Sequence, residues 1–397
     1  MNKNILSKNT NVIIINDFDY IQGGASKVSI TTANQLVEKN IKVYFFYAKH
    51  SNSTTLDKRV IKICTNQDEA LKDKNKLRGF INGLYNFKAK RKLNKLLNNL
   101  DKEKTIIHVH GWTKILSCSI FNVIFKKKFK VVLTMHDYFT ACPNGGYYNY
   151  KENKICKLNP LSYKCIKCNC DSRNYFFKVY RILRTFIQNK IVKLNKKLTN
   201  VISISDFSEK ILVKTLNKNV NIHRVYNPID YDKNIKNIDF NKNDYYLNVC
   251  RLSKEKGVDV FCEAIKRTGV KGIVVGDGPL KEKLQKNYPE VEFVGWKNNF
   301  EVKEYMKNAK YLVFTSNLYE AAPLTTMEAL MMGLPCIVWK NCAAIDQISI
   351  GKNGFSYNNV SDLCDVILNK KIEKFIFEYK YDYVKNLIDV YKKILES

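Results

Sequence analysis

Two basic and two acidic residues in the second half of the chain have the types and spacing to hold two parts of one polar ligand. Arg251 directly follows a strand-like run, and Lys256 precedes a glycine and a helical pattern. A guanidinium offers a forked donor and an ammonium offers a mobile point charge, so this pair suits a diphosphate. Glu320 and Glu328 lie in and after a loop that follows another strand. Carboxylates at such a place can accept hydrogen bonds from neutral hydroxyls.

Backbone N–H groups at helix starts are a second source of donors for an anion. Gly23 and Gly24 stand just before a helical pattern, and Gly276 opens a Gly-Asp-Gly-Pro turn after a strand. Pro323 suits the first position of the helix that follows Glu320. We expect phosphate oxygens at the backbone of that loop. The loop comprises Ala321, Ala322, Pro323 and Leu324.

Histidine and acidic residues follow strands in the first half of the chain. His136 and Asp137 end the strand-like run KVVLTMHDYF, where side chains can point into a cleft. Asp17 and Asp19 are the only close acidic pair near a strand end. We do not interpret this pair as ligands of a divalent metal.

Five of the 12 cysteines fall between residues 142 and 170. Cys165 and Cys168 have the spacing of one side of a structural zinc site, and Cys142 with Cys156 would complete four thiolates. Cys170 is left over. The alternative is a metal-free loop with reduced thiols, as expected in the cytoplasm. A zinc ion enclosed by four sulfurs would be structural rather than catalytic.

The elements that must position these residues follow an α/β pattern. Strand-like apolar runs alternate with helical patterns along the chain, which is typical of parallel α/β domains. The polar, Asn-rich stretch 228–243 predicts a linker between two doubly wound Rossmann-like domains, 1–227 and 244–371. The helical segment 372–397 is expected to cross back to the first domain. Such domains place the carboxyl ends of their strands around a shared cleft. The predicted strands are Asn11–Asn16, Lys42–Tyr47, Thr105–His110, Lys130–Met135, Val201–Ile204, Asp244–Cys250, Lys271–Gly276, Val291–Val294, Lys310–Thr315 and Pro335–Trp339.

The composition of the 397 residues excludes several classes of protein. With 45% hydrophobic residues the chain is not globally disordered. Its longest uncharged apolar stretch, Ala329–Trp339, is too short to span a membrane. The first residues carry no pattern of a secretory signal, so we expect a cytoplasmic protein.

The formal net charge of +30 is concentrated in the first half of the chain. Residues 1–200 hold 38 Lys and Arg against 12 Asp and Glu. This imbalance indicates an anionic partner, either nucleic acid or an acidic membrane surface, although A/T-biased codons are an alternative cause. Helical patterns at Lys88–Asn98 and Ser172–Leu198 mix basic with apolar residues and could lie in a membrane interface. They could equally pack an apolar face on the core and leave a basic face in water.

Read together, six segments resemble a known family: GGASKV, TMHDYF, CRLSKEKG, VGDGP, YEAAPLTTMEALMMGLP and KNGF. They resemble the retaining, metal-independent glycosyltransferases of family 4, which have the GT-B fold and assemble bacterial polysaccharides and glycolipids. The cysteine cluster resembles an insertion that one subgroup carries after its His-Asp dipeptide. This chain departs from the family pattern at Ala321, where Gly is frequent. It departs again at Ala343, Ala344 and Gln347, where Gly-Gly-x-x-Glu is common.

The resemblance implies roles for individual residues. Glu320 would contact the donor sugar and Glu328 the ribose, while Arg251 and Lys256 would bind the diphosphate. Gly24 would contact the phosphates, and His136 would touch the donor sugar near its reacting face. Gly23, Gly276 and the loop after Glu320 are also expected on the donor side, with Asp137 on the acceptor side.

The expected activity is transfer of a sugar from a UDP- or GDP-sugar to a glycan hydroxyl with retention of configuration. The acceptor would be a glycan, linked to a polyisoprenyl diphosphate or to another lipid, in O-antigen, capsule or exopolysaccharide assembly. We expect no cofactor for catalysis, a peripheral position at the inner face of the cell membrane and no nucleic-acid partner. The alternatives are a basic nucleic-acid-binding protein with a zinc ribbon, or a GT-B-like epimerase or phosphorylase.

Overall fold

The computed structural model describes residues 10–229, 238–373 and 381–397. These residues form two all-parallel sheets and a small antiparallel ribbon. The predicted α/β class with two doubly wound units is therefore confirmed. Each sheet has its own packed core, and the first sheet has one on each face.

The first sheet has seven strands in the order β3-β2-β1-β4-β5-β8-β9. Asn11 lies opposite both Lys42 and Thr105, so the three central strands start level and end at one edge. Its strands are β1 (Asn11–Ile15), β2 (Lys42–Tyr47), β3 (Ile61–Cys64), β4 (Thr105–Val109), β5 (Lys130–Thr134), β8 (Asn200–Ser203) and β9 (Asn221–Arg224), and the ribbon is β6 (Tyr148–Asn149) with β7 (Lys154–Ile155).

The second sheet has six strands in the order β12-β11-β10-β13-β14-β15. The order reverses between β10 and β13, as it does between β1 and β4 in the first sheet. Doubly wound folds bind ligands at the carboxyl ends of strands beside such a reversal. The strands are β10 (Tyr245–Val249), β11 (Lys271–Val275), β12 (Glu292–Gly295), β13 (Ala309–Phe314), β14 (Cys336–Trp339) and β15 (Gly354–Tyr357).

Helices connect the strands, and a longer helical region fills the connection between β5 and β8. In the first unit the helices are α1 (Gly24–Glu38), α2 (Lys76–Leu84), α3 (Phe87–Leu97), α4 (Ser119–Lys127), α5 (Tyr163–Lys167), α6 (Tyr175–Phe186), α7 (Leu194–Lys197) and α8 (Asp206–Leu212). In the second they are α9 (Val258–Thr268), α10 (Lys281–Asn287), α11 (Asn299–Lys307), α12 (Leu324–Met331) and α13 (Val360–Asn369), and the chain closes with α14 (Tyr383–Glu396). No helix of the described residues is both long and apolar enough to cross a membrane.

The last helix, α14, packs against the first sheet, as predicted. Leu387 and Tyr391 are fully buried in the core that contains Val12 and Ile14. The Tyr391 hydroxyl lies 2.6 Å from Nδ1 of His108, a buried residue of β4. The end of the chain is therefore built into the core of the first unit.

All ten predicted strands are present within a residue or two of their predicted ends. The three strands missed in the two large sheets are β3, β9 and β15, each at a sheet edge. Each of these strands has only four residues, and β3 and β9 carry exposed and half-buried side chains, so none forms a long apolar run in the sequence. Of the predicted linker, 230–237 lie outside the described residues, as do 374–380 of the predicted C-terminal segment.

Candidate active site

A cavity of about 480 Å³ lies between the two sheets, at the carboxyl ends of their strands. Loops that follow β1, β5, β10 and β13 line it. Among the described residues, the predicted donor-side and catalytic residues that line it are Gly23, Gly24, His136, Arg251, Lys256, Glu320, Ala321, Ala322, Pro323, Leu324 and Glu328. Gly276 and Asp137 lie outside this lining.

Two helices begin at the cavity without a side-chain cap. The residue before α1 is Gly23 and the residue before α12 is Pro323, and neither has a side chain that accepts a backbone N–H of its helix. At α1 the Ser26 hydroxyl accepts the N–H of Gly23 at 3.1 Å. Helices α6, α8 and α14, by contrast, begin with Asn174, Ser205 and Asp382, whose side chains accept backbone N–H groups. Uncapped N-termini leave N–H donors and the positive end of the helix dipole available to an anion.

The two helix starts face each other across the cavity. A Cβ atom added to Gly24 would lie 3.7 Å from Leu324 Cδ1, and one added to Gly23 would meet nothing within 4 Å. The first residues of α1 thus present bare backbone to open space. Pro323 is the N-cap residue rather than the first helical residue, one position earlier than predicted.

Glu320 and Lys256 form an ion pair at the centre of the cavity. Lys256 Nζ lies 2.5 Å from Glu320 Oε1, which also accepts a hydrogen bond of 2.6 Å from the Ser316 hydroxyl. Burial acts to raise the pKa of Glu320, but Lys256 and Ser316 outweigh it and hold that pKa below its ordinary value. Burial likewise acts to lower the pKa of Lys256, and Glu320 reverses this effect. Both groups are charged at neutral pH.

The backbone at Glu320 is in the left-handed region, with φ of 42°. This conformation is uncommon for a residue with a side chain, and the surrounding structure must stabilise it. The hydroxyl of Tyr138 donates to the Glu320 carbonyl at 2.8 Å, and Ser205 donates to the carbonyl of Ala321. Both donors belong to the first unit, so the glutamate loop is held by contacts between the units.

Glu328 is paired across the cleft. Its Oε1 lies 2.6 Å from Nζ of Lys27 on α1, and the two side chains are 14% and 20% exposed. Lys27 lines the cavity beside the two glycines. Sequence reasoning missed Lys27, although it lies in the quoted GGASKV segment.

Three histidines form a row that ends at the cavity. His136 Nε2 lies 2.9 Å from His110 Nδ1, and the two rings stack with centroids 5.2 Å apart. His108 lies behind them, with its ring centroid 4.0 Å from that of His110. His108 and His110 were missed, although the alternation His-Val-His on β4 places both on one face of the sheet.

The histidine row is neutral at physiological pH. Burial lowers the pKa of His136 to about 3. Burial and the neighbouring His136 lower the pKa of His108 to about 3 as well. Burial, His108 and His136 hold the pKa of His110 well below its ordinary value. The first unit therefore offers the cavity an uncharged imidazole.

The acidic residues of the first unit contact protein groups. Asp17 accepts backbone N–H groups of Lys114, Ile115 and Leu116, and Asp19 contacts His50 and Ser51. These bonds order the loops after β1 and β4.

Asp137 lies beside the cavity. It accepts the backbone N–H of Phe139 at 3.0 Å. Burial raises its pKa to about 6 from an ordinary value of 3.8.

Glycines fix the loop after β10. Gly257 has φ of 61°, and a Cβ there would lie 2.2 Å from the carbonyl oxygen of Thr315. Gly276 has φ of 147°, and a Cβ there would lie 1.9 Å from the Cys250 carbonyl oxygen. Gly276 therefore packs the next loop against the one that carries Arg251, which is an exposed residue at the cavity.

The cysteine cluster surrounds a buried lysine. Lys178 is 0% exposed, and its Nζ lies 3.2 Å from the sulfur of Cys170 and 3.5 Å from that of Cys165. Burial acts to lower the pKa of Lys178, and the sulfurs, Cys170 first, outweigh it and raise the pKa. The predicted leftover, Cys170, is thus an inner member of the cluster.

The predicted zinc ligands do not form a metal site in this arrangement. Cys142 donates to the Asn144 side chain, and Cys168 accepts from Asn149. Cys156 is half-buried. Within the described ranges no three Cys, His, Asp or Glu side chains are placed to hold a metal ion. A structural zinc at Cys142, Cys156, Cys165 and Cys168 stays a prediction.

Comparisons with protein families cover almost the whole chain. The model described as Glycosyltransferase Family 4 matches residues 22–233. The model described as Glycosyl transferases group 1 matches residues 230–392.

Two curated relatives illustrate the sequence similarity. An uncharacterized glycosyltransferase of Methanocaldococcus jannaschii is 28% identical over 231 residues, which are 55% of this chain and 52% of that protein. A Salmonella typhimurium protein named as the colanic acid biosynthesis glycosyltransferase WcaL is 25% identical over 125 residues, which are 28% of this chain and 31% of that protein. The matches span about half the length of the first relative and a third of the second.

Solved structures share the fold over nearly the full length. HepE of Anabaena in complex with UDP superposes with a TM-score of 0.61 at 14% identity, covering 97% of this chain and 95% of that chain. The lipopolysaccharide outer core galactosyltransferase WaaB superposes with a TM-score of 0.59 at 19% identity, covering 97% and 100%.

Proposed function

The chain belongs to glycosyltransferase family 4, and from that premise we propose that it transfers one sugar from a nucleotide-diphosphate donor to a hydroxyl of a glycan. The fold is GT-B, with two Rossmann-like units around a cleft. The proposed product is part of a bacterial surface polysaccharide, such as an O-antigen, capsule or exopolysaccharide. The names of WcaL and WaaB support this assignment.

The observation that carries the proposal is the pair of uncapped helix starts beside the Lys256–Glu320 ion pair. A diphosphate between α1 and α12 would receive backbone N–H groups from both helices. Arg251 and Lys256 would add two cations on the same side of the cavity. The complex of HepE with UDP supports a UDP-sugar as donor, and a GDP-sugar is the other candidate.

The same groups would stabilise the transition state. The leaving diphosphate gains negative charge as the glycosidic bond breaks, so preorganised donors lower the barrier selectively. Arg251, Lys256 and the α12 N-terminus supply those donors from the protein. We therefore propose that the reaction requires no metal.

The carboxylates would hold hydroxyls rather than phosphate. Glu320 would accept from the donor sugar and Glu328 from the ribose, each while paired with a lysine. We assign no covalent nucleophile. Transfer with retention would proceed by attack from the face that the diphosphate leaves, and a departing phosphate oxygen would take the proton of the acceptor hydroxyl.

His136 would act as a neutral hydrogen-bond donor to the sugar. His110 Nε2 is buried and has no hydrogen-bond partner among the described residues. A buried N–H without an acceptor costs more than a buried lone pair without a donor, so we place the His110 proton on Nδ1. Nδ1–H of His110 then donates to Nε2 of His136, and Nδ1–H of His136 remains for the substrate.

The proposed acceptor is a lipid-linked glycan at the inner face of the cell membrane. The excess of Lys and Arg in residues 1–200 favours an anionic surface. The protein would be a peripheral one.

Turnover of a panel of UDP- and GDP-sugars, in EDTA and with a lipid extract as acceptor, tests the proposal. We expect one donor to release its nucleoside diphosphate only when acceptor is present, and the product to keep the anomeric configuration by NMR. Release of sugar phosphate would indicate a phosphorylase. An epimer formed without acceptor would indicate an epimerase, and either result would overturn the proposal.

A further inference from the structure

Helix α6 buries charged side chains and exposes apolar ones, which is the opposite of the arrangement in an ordinary surface helix. Its buried residues include Lys178 and Arg184, which are 0% and 7% exposed. Its water-facing residues include Phe176 and Phe186, at 64% and 49% exposure, with Val179 between them in the helical repeat. Soluble proteins rarely leave such an apolar stripe uncovered, so the stripe indicates a binding surface.

A groove of about 480 Å³ separates α6 from α2 and runs inward from this stripe. Its walls carry aromatic rings, among them Phe80, Phe177 and Tyr180. The Phe80 and Tyr180 rings pack with centroids 4.9 Å apart. The groove thus has an aromatic lining that suits an apolar chain.

The inner end of the groove holds a buried cation, Arg184, that forms no salt bridge with a carboxylate of the described residues. The guanidinium of Arg184 donates to the carbonyl oxygens of Thr113 and Pro143 and lies 4.5 Å from the centroid of the Phe139 ring. Its Nε is buried and has no hydrogen-bond partner among the described residues. A buried cation in this state favours an anion beside it.

Most other cations of the groove are also free to meet a ligand anion. Among the described residues, Lys76, Lys114 and Arg173 line the groove and form no salt bridge with a carboxylate. Arg181 is paired with the buried Asp171 at 2.6 Å. The carboxylate of the lining, Glu69, is paired with Lys72.

The inner end of the groove adjoins the candidate active site. Lys114 Nζ donates to the side chain of Gln22, the residue before Gly23, at 2.9 Å. Phe139 follows Asp137 and His136 on the loop after β5, and the charge of Arg184 acts on Asp137. A molecule lying in the groove would therefore reach the cleft from the side of the first unit.

We infer that this groove binds an isoprenoid diphosphate, with the diphosphate at Arg184 and Lys114 and the hydrocarbon chain on the aromatic lining toward Phe176. The inference rests on the proposed function, because it places the carrier lipid of the acceptor. The ligand matches the groove in both respects, since it joins two negative phosphates to a long apolar chain. A glycan on that diphosphate would then extend into the cleft.

Calorimetric titration of the full-length protein with farnesyl diphosphate, a soluble isoprenoid diphosphate, tests the inference. The protein is first saturated with the nucleoside diphosphate that it binds, so that the donor site is filled. We expect farnesyl diphosphate to bind at a 1:1 ratio. Farnesol and inorganic diphosphate, which carry one half of the ligand each, should bind at least about tenfold more weakly.

Two variants and one matched control locate the site. Phe176→Ser and Arg184→Gln should each weaken the binding of farnesyl diphosphate by at least about fivefold. Phe87→Ser, which removes a ring of 62% exposure from the nearby helix α3, should leave binding unchanged. Phe176 is exposed, so its variant keeps the inference testable if Arg184→Gln does not fold.

Several results would overturn the inference. These are no binding of farnesyl diphosphate, equal binding of farnesol, or wild-type affinity in Phe176→Ser. A dimer that dissociates in Phe176→Ser, measured by light scattering, would make the stripe a contact between two copies. If the wild type binds a nucleotide but does not bind farnesyl diphosphate, the result counts against the groove alone. Failure of the wild type to bind any nucleotide would count against the proposed function.

Discussion

The two units present different kinds of side chain to the same cleft. The second unit contributes charged groups that are paired with each other or with Lys27, chiefly Glu320, Lys256 and Glu328. The first unit contributes the neutral imidazole of His136 and the lysine that pairs with Glu328, and it keeps Arg184 buried nearby. Both sheets have the same kind of strand order, so the difference arises in the loops.

This difference indicates a division of labour. A charged wall that is already ordered suits a donor diphosphate, because its dipoles need no rearrangement when charge develops. A neutral imidazole suits sugar hydroxyls, because it can donate a hydrogen bond without adding charge to the cleft. Substitutions on the two walls should therefore differ in how strongly they lower turnover.

The largest effect is expected from Glu320→Gln on the charged wall. Gln keeps the shape but loses the charge that holds Lys256 and accepts sugar hydroxyls. We expect kcat to fall on the order of 100- to 1,000-fold, the scale for loss of a preorganised electrostatic group. Asp259→Asn, an exposed acid on α9, is the control and should keep wild-type kcat. Unchanged turnover in Glu320→Gln would remove the charged wall from the mechanism.

A smaller effect is expected from His136→Ala on the neutral wall. The variant loses one neutral hydrogen-bond donor, so kcat should fall about 10- to 100-fold. Titration of His136 should not change the kcat of the wild type between pH 5 and 8, because the pKa of this imidazole is about 3. His223→Ala, on β9, is the control. A rate that follows protonation of His136 near pH 6.5 would contradict the neutral assignment.

Lys27→Met tests the contact between the walls. The ion pair with Glu328 is partly exposed, so its loss should raise the KM for donor by roughly threefold to fivefold and leave kcat nearly unchanged. Lys39→Met, at the far end of α1, is the matched control. A collapse of kcat at unchanged KM would mean that Lys27 acts in the transition state, and the two walls would not be separable.

Asp137→Asn is expected to change stability rather than turnover. Burial raises the folded-state pKa of Asp137 to about 6, so its ionisation costs stability as the pH rises from about 4 through 6. The variant has no such cost and should gain of order 1 to 3 kcal/mol over wild type above pH 6, and nothing at pH 4. Thermal melts from pH 4 to 8 measure this difference. A constant difference across that range would contradict the raised pKa.

The donor side of the cleft could be predicted from sequence because its residues lie in short loops after strong strands. Arg251, Lys256, Glu320 and Glu328 each belong to a segment with one dominant local pattern. Their positions follow from the rule that parallel sheets bind ligands at strand ends. Gly276 was placed with them on the same rule, but its positive φ serves the packing of two loops.

The contacts within the first unit could not be predicted in the same way, because they join residues far apart in the chain. His108 reaches His136 through His110, and Tyr391 reaches His108 from the C-terminal helix. The apolar spacing of the segment 172–198 predicted a helix but not which face points outward. The tertiary partners of Lys178 and Arg184 decide that. No local pattern carries this information.

Titration of UDP and GDP into the wild type and Lys256→Met, in EDTA, tests the central claim most directly. We expect one nucleoside diphosphate to bind the wild type at a 1:1 ratio without metal. Lys256→Met should bind it at least about tenfold more weakly, the scale for loss of a charge-assisted contact. Binding that requires a divalent metal, or equal affinity in Lys256→Met, would contradict a diphosphate site between α1 and α12.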